Sequence, residues 1–408
     1  MIPDWARNKK ILLGISGGIA AYKTPELVRS WVRLGCEVEV ILTEAARKLV
    51  SPLVLSTLSK RRAWIDADFL SDESGWKIPH ITLADWADVL VVAPCTANVL
   101  RMAATGESGT LLGAAMLACT APIVLFPAMN VHMWENPSTE DNARIARENG
   151  IAVIDPDSGD LACGYEGKGR LPSVEAILDE TWSALRTEKD LAGKRVLVTA
   201  GPTHEYIDPV RFIGNPSTGK MGYALAAEAR YRGADVVLIS GPSSGRIPSG
   251  IRARRVVSAD EMLTACLDEL PDADIVIKAA AVGDYRVKNY SATKIKRGDS
   301  EELHLALVAN PDIAREIAER KRAGQILVGF AAETDDVEVN ARKKIESKGL
   351  DAVVANDVSG DDAGFAVETN RVRVFFAERH ARAASREFFG SKWRIASGIL
   401  DLIADLSR

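Results

Sequence analysis

Runs of apolar residues alternate with amphipathic stretches along almost the whole chain. In the first half, 11–16 (ILLGIS), 37–43 (EVEVILT), 88–94 (DVLVVAP), 122–128 (PIVLFPA) and 151–155 (IAVID) read as strands. Most are apolar at successive positions rather than at every second one, the pattern of parallel strands covered on both faces. Between them, 20–34 and 139–149 have helical character and stop at Gly35 and Gly150, the residue type that accepts the left-handed turn closing a helix. This order predicts βαβ units and a doubly wound parallel sheet.

After a polar, glycine-rich stretch at 157–171 and a helix over 174–187, the pattern starts again. Strands are expected at 195–203 (RVLVTAGPT), 235–242 (DVVLISGP), 273–282 (ADIVIKAAAV), 326–333 (ILVGFAAE) and 351–357 (DAVVAND). A hairpin is expected over 365–378, turning at Thr369-Asn370. The charged segment 187–195 separates the two series, so two α/β domains are expected, residues 1–189 and 190–408, each of ordinary single-domain size.

Charge narrows the function. Lysine and arginine number 51 against 56 acids, a net −5, which excludes a general nucleic-acid or membrane-surface binder and leaves room for a local basic site. The five cysteines (Cys36, Cys95, Cys119, Cys163, Cys266) are odd in number and form no C-x-x-C pair. That argues against a disulfide framework or zinc site and fits a reducing cytoplasm. The longest early apolar run, 11–15, is too short for a membrane span or signal core.

Two glycine-rich turns follow strands. SGGIAAYK (16–23) lies between a strand's carboxyl end and a helix, where backbone N–H groups and the helix dipole suit a phosphate. The spacing is not G-x-G-x-x-G and no acid ends the second strand, where Thr43 stands. A mononucleotide therefore fits better than a dinucleotide, and a plain tight turn is the bland alternative. Gly214 to Lys220 satisfies most of a P-loop, but Met221 replaces the hydroxyl that holds magnesium, which argues against a P-loop NTPase. Asn215, Ser217, Thr218 and Lys220 still suit an anion.

Candidate chemistry is sparse. His80 opens an amphipathic segment, Asn130 ends a strand, and Cys163 lies in a polar loop where a thiol can transfer protons. Each alone is as well read as structural. Lys288, Lys294, Lys296 and Arg297 crowd a segment after an apolar strand. Such a run is usually a solvated face, but over a sheet's carboxyl edge it suits a triphosphate, with Asp284 available for a metal.

Taken in order, thirteen motifs resemble one family. They are SGGIAAYKTPELVR (16–29), TEAA (43–46), His80 with ITLADWAD, AP-x-TAN (93–98), PAMN (127–130), ACG (162–164) and AGPT (200–203), then IDPVRFIGNPSTGKMG (207–222), AAAVGDYR (279–286), KIK (294–296), NPDI (310–313), GFAAET (329–334) and ANDVS (355–359). They resemble the bifunctional flavoprotein family of coenzyme A synthesis, in which phosphopantothenoylcysteine decarboxylase is fused to phosphopantothenate–cysteine ligase.

The resemblance implies a flavodoxin-like first domain that binds FMN through Ser16, Gly17, Gly18, Ile19, Thr43, Thr96 and Asn98. It assigns His80 and Asn130 to the decarboxylase substrate, and Cys163 to protonating the enethiolate left after CO₂ departs. It implies a Rossmann-like second domain that joins 4′-phosphopantothenate to cysteine through an acyl-cytidylate. There Asn215 and Arg211 contact the acyl group and Lys294 serves catalysis. Lys278, Ala279, Ala280, Asp284, Lys294, Pro311, Asp312, Ile313, Ala314, Phe330, Lys344 and Lys348 bind CTP, with Asp284 for Mg²⁺. It also implies a cytoplasmic homo-oligomer built from decarboxylase trimers and ligase dimers. Cys95, His204, Lys278 and Gly283 depart from the usual pattern.

Two other functions stay open on sequence. An NAD(P)-dependent oxidoreductase is disfavoured by the missing fingerprint in both halves. A flavodoxin-like regulatory protein is disfavoured by the joint presence of His80, Asn130 and Cys163.

Overall fold

The computed structural model describes residues 3–70, 78–160, 164–296, 302–333, 336–357, 369–380 and 385–406. Cys163, Arg297 and the expected hairpin's 365–368 lie outside the described residues. Backbone contacts divide the chain into two units, Asp4–Thr187 and Glu188–Arg408.

The first unit runs β1 (Lys10–Ile15), α1 (Thr24–Arg33), β2 (Glu37–Leu42), α2 (Pro52–Ser59), β3 (Ala63–Ile65), α3 (Pro79–Trp86), β4 (Val89–Cys95), α4 (Ala97–Thr105) and α5 (Leu111–Ala118). It continues with β5 (Ile123–Pro127), α6 (Val131–Trp134), α7 (Pro137–Glu148), β6 (Ala152–Val153), β7 (Asp157–Asp160), β8 (Glu166–Arg170) and α8 (Val174–Leu185). The sheet order is β3-β2-β1-β4-β5-β6, parallel throughout. Setting aside the short edge strand β3, this is the flavodoxin order 2-1-3-4-5. Gly35 and Gly150 take φ of +87° and +84°, as their helix-stop reading requires.

Two local readings change. The helix expected over 20–34 begins as a 3-10 turn, Ile19–Lys23, before α1. Pro25, at the start of α1, cannot donate a helical hydrogen bond to the preceding turn. The stretch 157–171, expected as loop, contains the β7–β8 hairpin, with Gly159 opposite Gly167. Its strands consist of polar residues and glycine, so no apolar alternation announces it.

The second unit runs β9 (Arg195–Ala200), β10 (His204–Tyr206), β11 (Phe212–Gly214), α9 (Lys220–Tyr231), β12 (Asp235–Ser240), β13 (Arg252–Arg255), α10 (Ala259–Glu269), β14 (Ile275–Lys278) and β15 (Tyr285–Val287). Then come β16 (Leu307–Ala309), α11 (Ile313–Arg320), β17 (Ile326–Glu333), α12 (Val337–Lys348), β18 (Ala352–Asp357), β19 (Thr369–Phe376), β20 (Arg386–Ser391) and α13 (Lys392–Leu406). Its main sheet is β13-β12-β9-β14-β17-β18-β19-β20, parallel up to β18 and antiparallel beyond it.

The expected turn at Thr369-Asn370 is a correction: both residues lie inside β19, paired with Ser391 and Gly390 of β20. Asn370, Val372 and Val374 are buried while Thr369, Arg371 and Arg373 are exposed, so strand alternation prevails over the turn preference of asparagine.

One core of this unit packs α10, α11 and α12 onto Leu197, Val276, Leu327, Val353 and Phe375. Helices α9 and α13 pack together on the other face. No helix among the described residues is long and apolar enough to cross a membrane.

The turns at the carboxyl ends are closely packed. A Cβ on Gly241 would stand 1.7 Å from the Pro202 carbonyl oxygen, whereas one on Gly283 would meet nothing nearer than 3.5 Å. Gly241→Ala should therefore cost the second unit about 1–3 kcal/mol or more, and Gly283→Ala should change its stability by roughly 1 kcal/mol or less. Urea unfolding of the two variants checks this; equal stabilities would show that the turn after β12 relaxes freely.

Candidate active sites

In open α/β sheets ligands bind beyond the strands' carboxyl ends, where the strand order reverses. In the first unit that point lies between β1 and β4. Ser16, 1% exposed, joins the two strand ends: its Oγ donates to the Pro94 carbonyl at 2.7 Å and accepts from Thr96 N at 2.9 Å. Gly17 allows the loop after β2 to lie flush, since a Cβ there would stand 2.3 Å from Ala45 Cβ. Thr43 in that loop donates its N–H to Ile15 and accepts from Ala46 N. A Cβ on Gly18 would meet only ordinary contacts, Pro94 and the Ala128 carbonyl at 3.5 Å or more, and Ile19 beside it is exposed.

Thr96 caps α4 and Asn98 follows in its first turn. Asn130 caps α6, its Oδ1 accepting from His132 N at 2.9 Å. His80 is the second residue of α3; its ring stands edge-on to Phe69, and its Nδ1 is buried without a hydrogen-bond partner. Met129 N donates to Gly169 of the hairpin, so the strands flanking 161–163 are pinned to the loop that carries Asn130.

Sequence reasoning missed Asp66. Its carboxylate accepts from Leu111 N and Glu44 N, tying the turn after β2 to α5, and burial raises its pKa. Its signal is only an acid after a short strand. A cavity of about 450 Å³ also opens beside this edge, with Tyr22, Lys23, Glu26 and Arg170 among its walls. None of the predicted flavin residues lines it.

In the second unit the switch point lies between β9 and β14, and a cavity of about 610 Å³ opens there. Asn215, Lys278, Ala279, Ala280, Asp284, Pro311, Asp312, Ile313, Ala314, Phe330, Lys344 and Lys348 all line it. Threonines of the β9 end hold its floor: Thr199 Oγ1 accepts from Ala280 N, and Thr203 Oγ1 from Gly283 N at 2.9 Å. Asn215 Nδ2 donates to the carbonyls of Ala281 and Val282. Gly219, at φ +73°, turns the chain into α9.

Lys278 sits among like and unlike charges. Burial pushes its pKa down to about 8, Asp312 opposes the fall, and Lys348 adds to it. Asp312 caps α11 by accepting from Ala314 N and Arg315 N, and it pairs with Lys348 at 2.9 Å. Asp312 stays below the ordinary carboxylate range: burial opposes the shift, but Lys348, backbone N–H and Lys278 outweigh it.

Arg211 and Lys294 are not among the residues lining this cavity. They are brought together beside it by Asp208, a fully buried residue. Its carboxylate accepts from the backbone N–H of Val210, Arg211 and Ile295 and from the Arg211 guanidinium. The same guanidinium donates to the Ile295 carbonyl at 2.7 Å. The bond from Arg211, followed by these N–H groups, holds Asp208 far below the usual carboxylate range despite its desolvation. The basic segment, read from the sequence as a charge run over the sheet's carboxyl edge, is therefore anchored at Ile295, with Lys294 exposed next to it.

Sequence reasoning also missed Asp208, Asn356, Asn370 and Lys392, the last three of which line the cavity. Asp208 lies in the motif IDPVR and Asn356 in ANDVS, so both were within reach. Asn370 and Lys392 carry no motif. Among the described residues no three His, Cys, Asp or Glu side chains converge on a metal position.

Comparison with known proteins places both units. The family model described as Flavoprotein matches residues 3–186, and the DNA/pantothenate metabolism flavoprotein C-terminal domain matches 191–406. The coenzyme A biosynthesis bifunctional protein CoaBC of Bacillus subtilis (strain 168) is 46% identical over 404 residues, 98% of each chain. That of Escherichia coli (strain K12) is 41% identical over 374 residues, 91% of each. Among solved structures, the C-terminal domain of a CoaBC protein is 38% identical, covering 54% of this chain and 98% of that one, with a TM-score of 0.45. The FMN binding protein AtHal3 is 33% identical, covering 43% and 95%, with a TM-score of 0.39. The chain belongs to the family of coenzyme A biosynthesis bifunctional proteins, enzymes that join a flavoprotein decarboxylase unit to a ligase unit.

Proposed function

We propose that the first unit decarboxylates 4′-phosphopantothenoylcysteine with FMN, and that the second makes this substrate from 4′-phosphopantothenate, cysteine and CTP with Mg²⁺. The observation that carries the reading is the gathering in one cavity of Asn215, the cation set Lys278, Lys344 and Lys348, and the α11 cap. We further read the protein as a cytoplasmic homo-oligomer of decarboxylase trimers and ligase dimers, without nucleic-acid or membrane partners; the net charge supports the last point.

The residues of the first unit fit a flavin. The N-cap positions of Thr96 and Asn130 and the orphaned His80 Nδ1 all belong to carboxyl-edge turns or helix starts, and the turn at Gly18 is uncrowded. Bound there through Ser16, Gly17, Gly18, Ile19, Thr43, Thr96 and Asn98, a flavin supplies the electron sink that a cysteine carboxylate lacks, by transient oxidation of the thiol-bearing carbon. His80 and Asn130 orient the substrate's carboxylate and thiol. Cys163 delivers the proton that the resulting enethiolate needs.

In the second unit the 4′-phosphopantothenate carboxylate attacks the α-phosphate of CTP and pyrophosphate leaves; the cysteine amine then displaces CMP. Lys278, Lys344 and Lys348 face the nucleotide's negative charge. Asp284 suits Mg²⁺, which commonly takes one or two carboxylates and completes its shell from phosphates and water. Asn215, its amide N–H bonds committed to Ala281 and Val282, presents its oxygen at a fixed place. Lys294 and Arg211, joined through Asp208, meet the charge that develops during transfer.

Two substitutions test the halves separately. Cys163→Ser should still release CO₂ but accumulate a product two mass units lighter than 4′-phosphopantetheine, because a serine hydroxyl is a far weaker acid. Normal product by mass spectrometry would remove Cys163 from the proton-donor role. Lys294→Gln should lower the ligase maximal rate on the order of 10²–10³-fold and leave decarboxylation unchanged. Rescue at saturating CTP, or an equal loss in Lys288→Gln, would reduce Lys294 to one of several screening cations.

A further inference from the structure

Two side chains of the second unit's cavity take part in none of the roles assigned above. Asn356, near the end of β18, and Asn370, near the start of β19, both line it. The Oδ1 of each is buried without a hydrogen-bond donor, and Asn370 is only 4% exposed. Buried acceptors without donors are rare and costly. A pair of them in one cavity points to a ligand that supplies N–H groups.

Strand register says which part of the ligand they meet. Phe330 of β17 pairs with Val354, and Asn356 follows Val354 by two residues. Asn356 in turn pairs with Val372, two residues after Asn370. Side chains two apart on a strand share a face, so Phe330, Asn356 and Asn370 stand on one face of the sheet. Phe330 lines the same cavity and belongs to the set read as nucleotide-binding. At about 3.3 Å per residue and about 4.8 Å between strands, Asn356 lies about 8 Å from Phe330. Asn370 is its diagonal neighbour on the next strand, within side-chain reach. Lys278 pairs with Gly329, the residue before Phe330, so its ammonium group belongs to the opposite face.

Phosphate oxygens do not suit two carbonyl acceptors. This face therefore takes the uncharged end of the nucleotide, its base, while the cations take the phosphates. We propose that Asn356 and Asn370 are specificity-determining residues that select cytosine. Its 4-amino group carries two N–H donors, one for each Oδ1, and Phe330 flanks the ring. Uracil has a carbonyl oxygen at that position, which would face two more carbonyl oxygens and leave all three unpaired. A site built to hydrogen-bond a substrate's N–H discriminates strongly against the analogue lacking it, because its buried groups are then left unmatched. Adenine brings a similar amino group, so the two amides separate CTP from UTP and not from ATP. The assignment rests on the ligase reading and adds to it the basis of base choice.

The test uses the full-length protein with 4′-phosphopantothenate, cysteine and Mg²⁺, and compares kcat/KM for CTP and for UTP by pyrophosphate release. The wild type should prefer CTP strongly. Asn356→Ser and Asn370→Ser should each lower the CTP-over-UTP ratio roughly 10- to 100-fold, through loss of CTP turnover. Asn370→Asp keeps an acceptor in place and should retain the ratio, although its charge raises the KM of both triphosphates. Each ratio is internal to one variant, so a smaller folded fraction does not alter it. An unchanged ratio in both serine variants overturns the proposal, as does a wild type that uses UTP as well as CTP. So does an equal loss of both nucleotides, which assigns the amides to the scaffold. A ratio that collapses in Asn370→Asp as well shows that an acceptor at this position does not read the base. A wild-type protein that releases no pyrophosphate with either nucleotide fails the ligase reading itself, a separate result.

Discussion

A parallel sheet sandwiched between helices gives its strands no wet face, and in both units this decides where chemistry can occur. Every residue of β4 and β5 is buried, and β9, β12 and β14 are nearly so. A ligand can reach such a sheet only at its ends. Each crossover helix returns antiparallel to the strands, so helix N-termini and their unpaired N–H groups collect at the carboxyl end. The two units meet this constraint with the same device: a hydroxyl at or near the end of the first strand bonds the backbone across the switch point. Ser16 does so to Pro94 and Thr96, and Thr199 and Thr203 to Ala280 and Gly283. The binding turns are thus fixed by groups that are themselves buried and matched.

Charge is organised differently from backbone. A carboxylate as deeply buried as Asp208 survives only because Arg211 and three backbone N–H groups share its charge. The consequence reaches beyond the pair, since the Arg211 guanidinium also holds the Ile295 carbonyl. Two stretches more than eighty residues apart in sequence, one carrying Arg211 and one carrying Lys294, are thereby tied together. An exposed basic loop alone would offer charge without position, and position is what a developing transition-state charge rewards.

The strands of both series were legible because they are buried on both faces and so spell themselves as unbroken apolar runs. What escaped has physical reasons. β3 is a three-residue edge strand, too short to show a period. The β7–β8 hairpin is built of polar residues and glycines, two of them opposed, so its pairing leaves no hydrophobic trace. Asn370 reads as a turn because asparagine prefers turns, but its neighbours Val372 and Val374 need burial and carry it into the sheet. The carboxyl-edge turns were recognisable as motifs, whereas Asp208, Asn370 and Lys392 matter only through partners or neighbours distant in sequence. Such roles exist only in the fold.

Gly283 and Lys278, two residues singled out in the sequence, also make sense in these terms. Gly283 sits where a Cβ would meet only ordinary contacts, so the glycine relaxes a turn without opening a strained one. Lys278 carries more weight. Burial makes its positive charge costly, and Lys348 makes it costlier still, while a single carboxylate, Asp312, is shared between the two ammonium groups. Two ammonium groups sharing Asp312 leave positive charge uncompensated in a partly desolvated place. That arrangement is poor as packing and good as a receptor, because a ligand's negative charge removes the excess and restores Lys278 toward its ordinary proton affinity. Lys278 therefore reinforces the positive character of its side of the cavity.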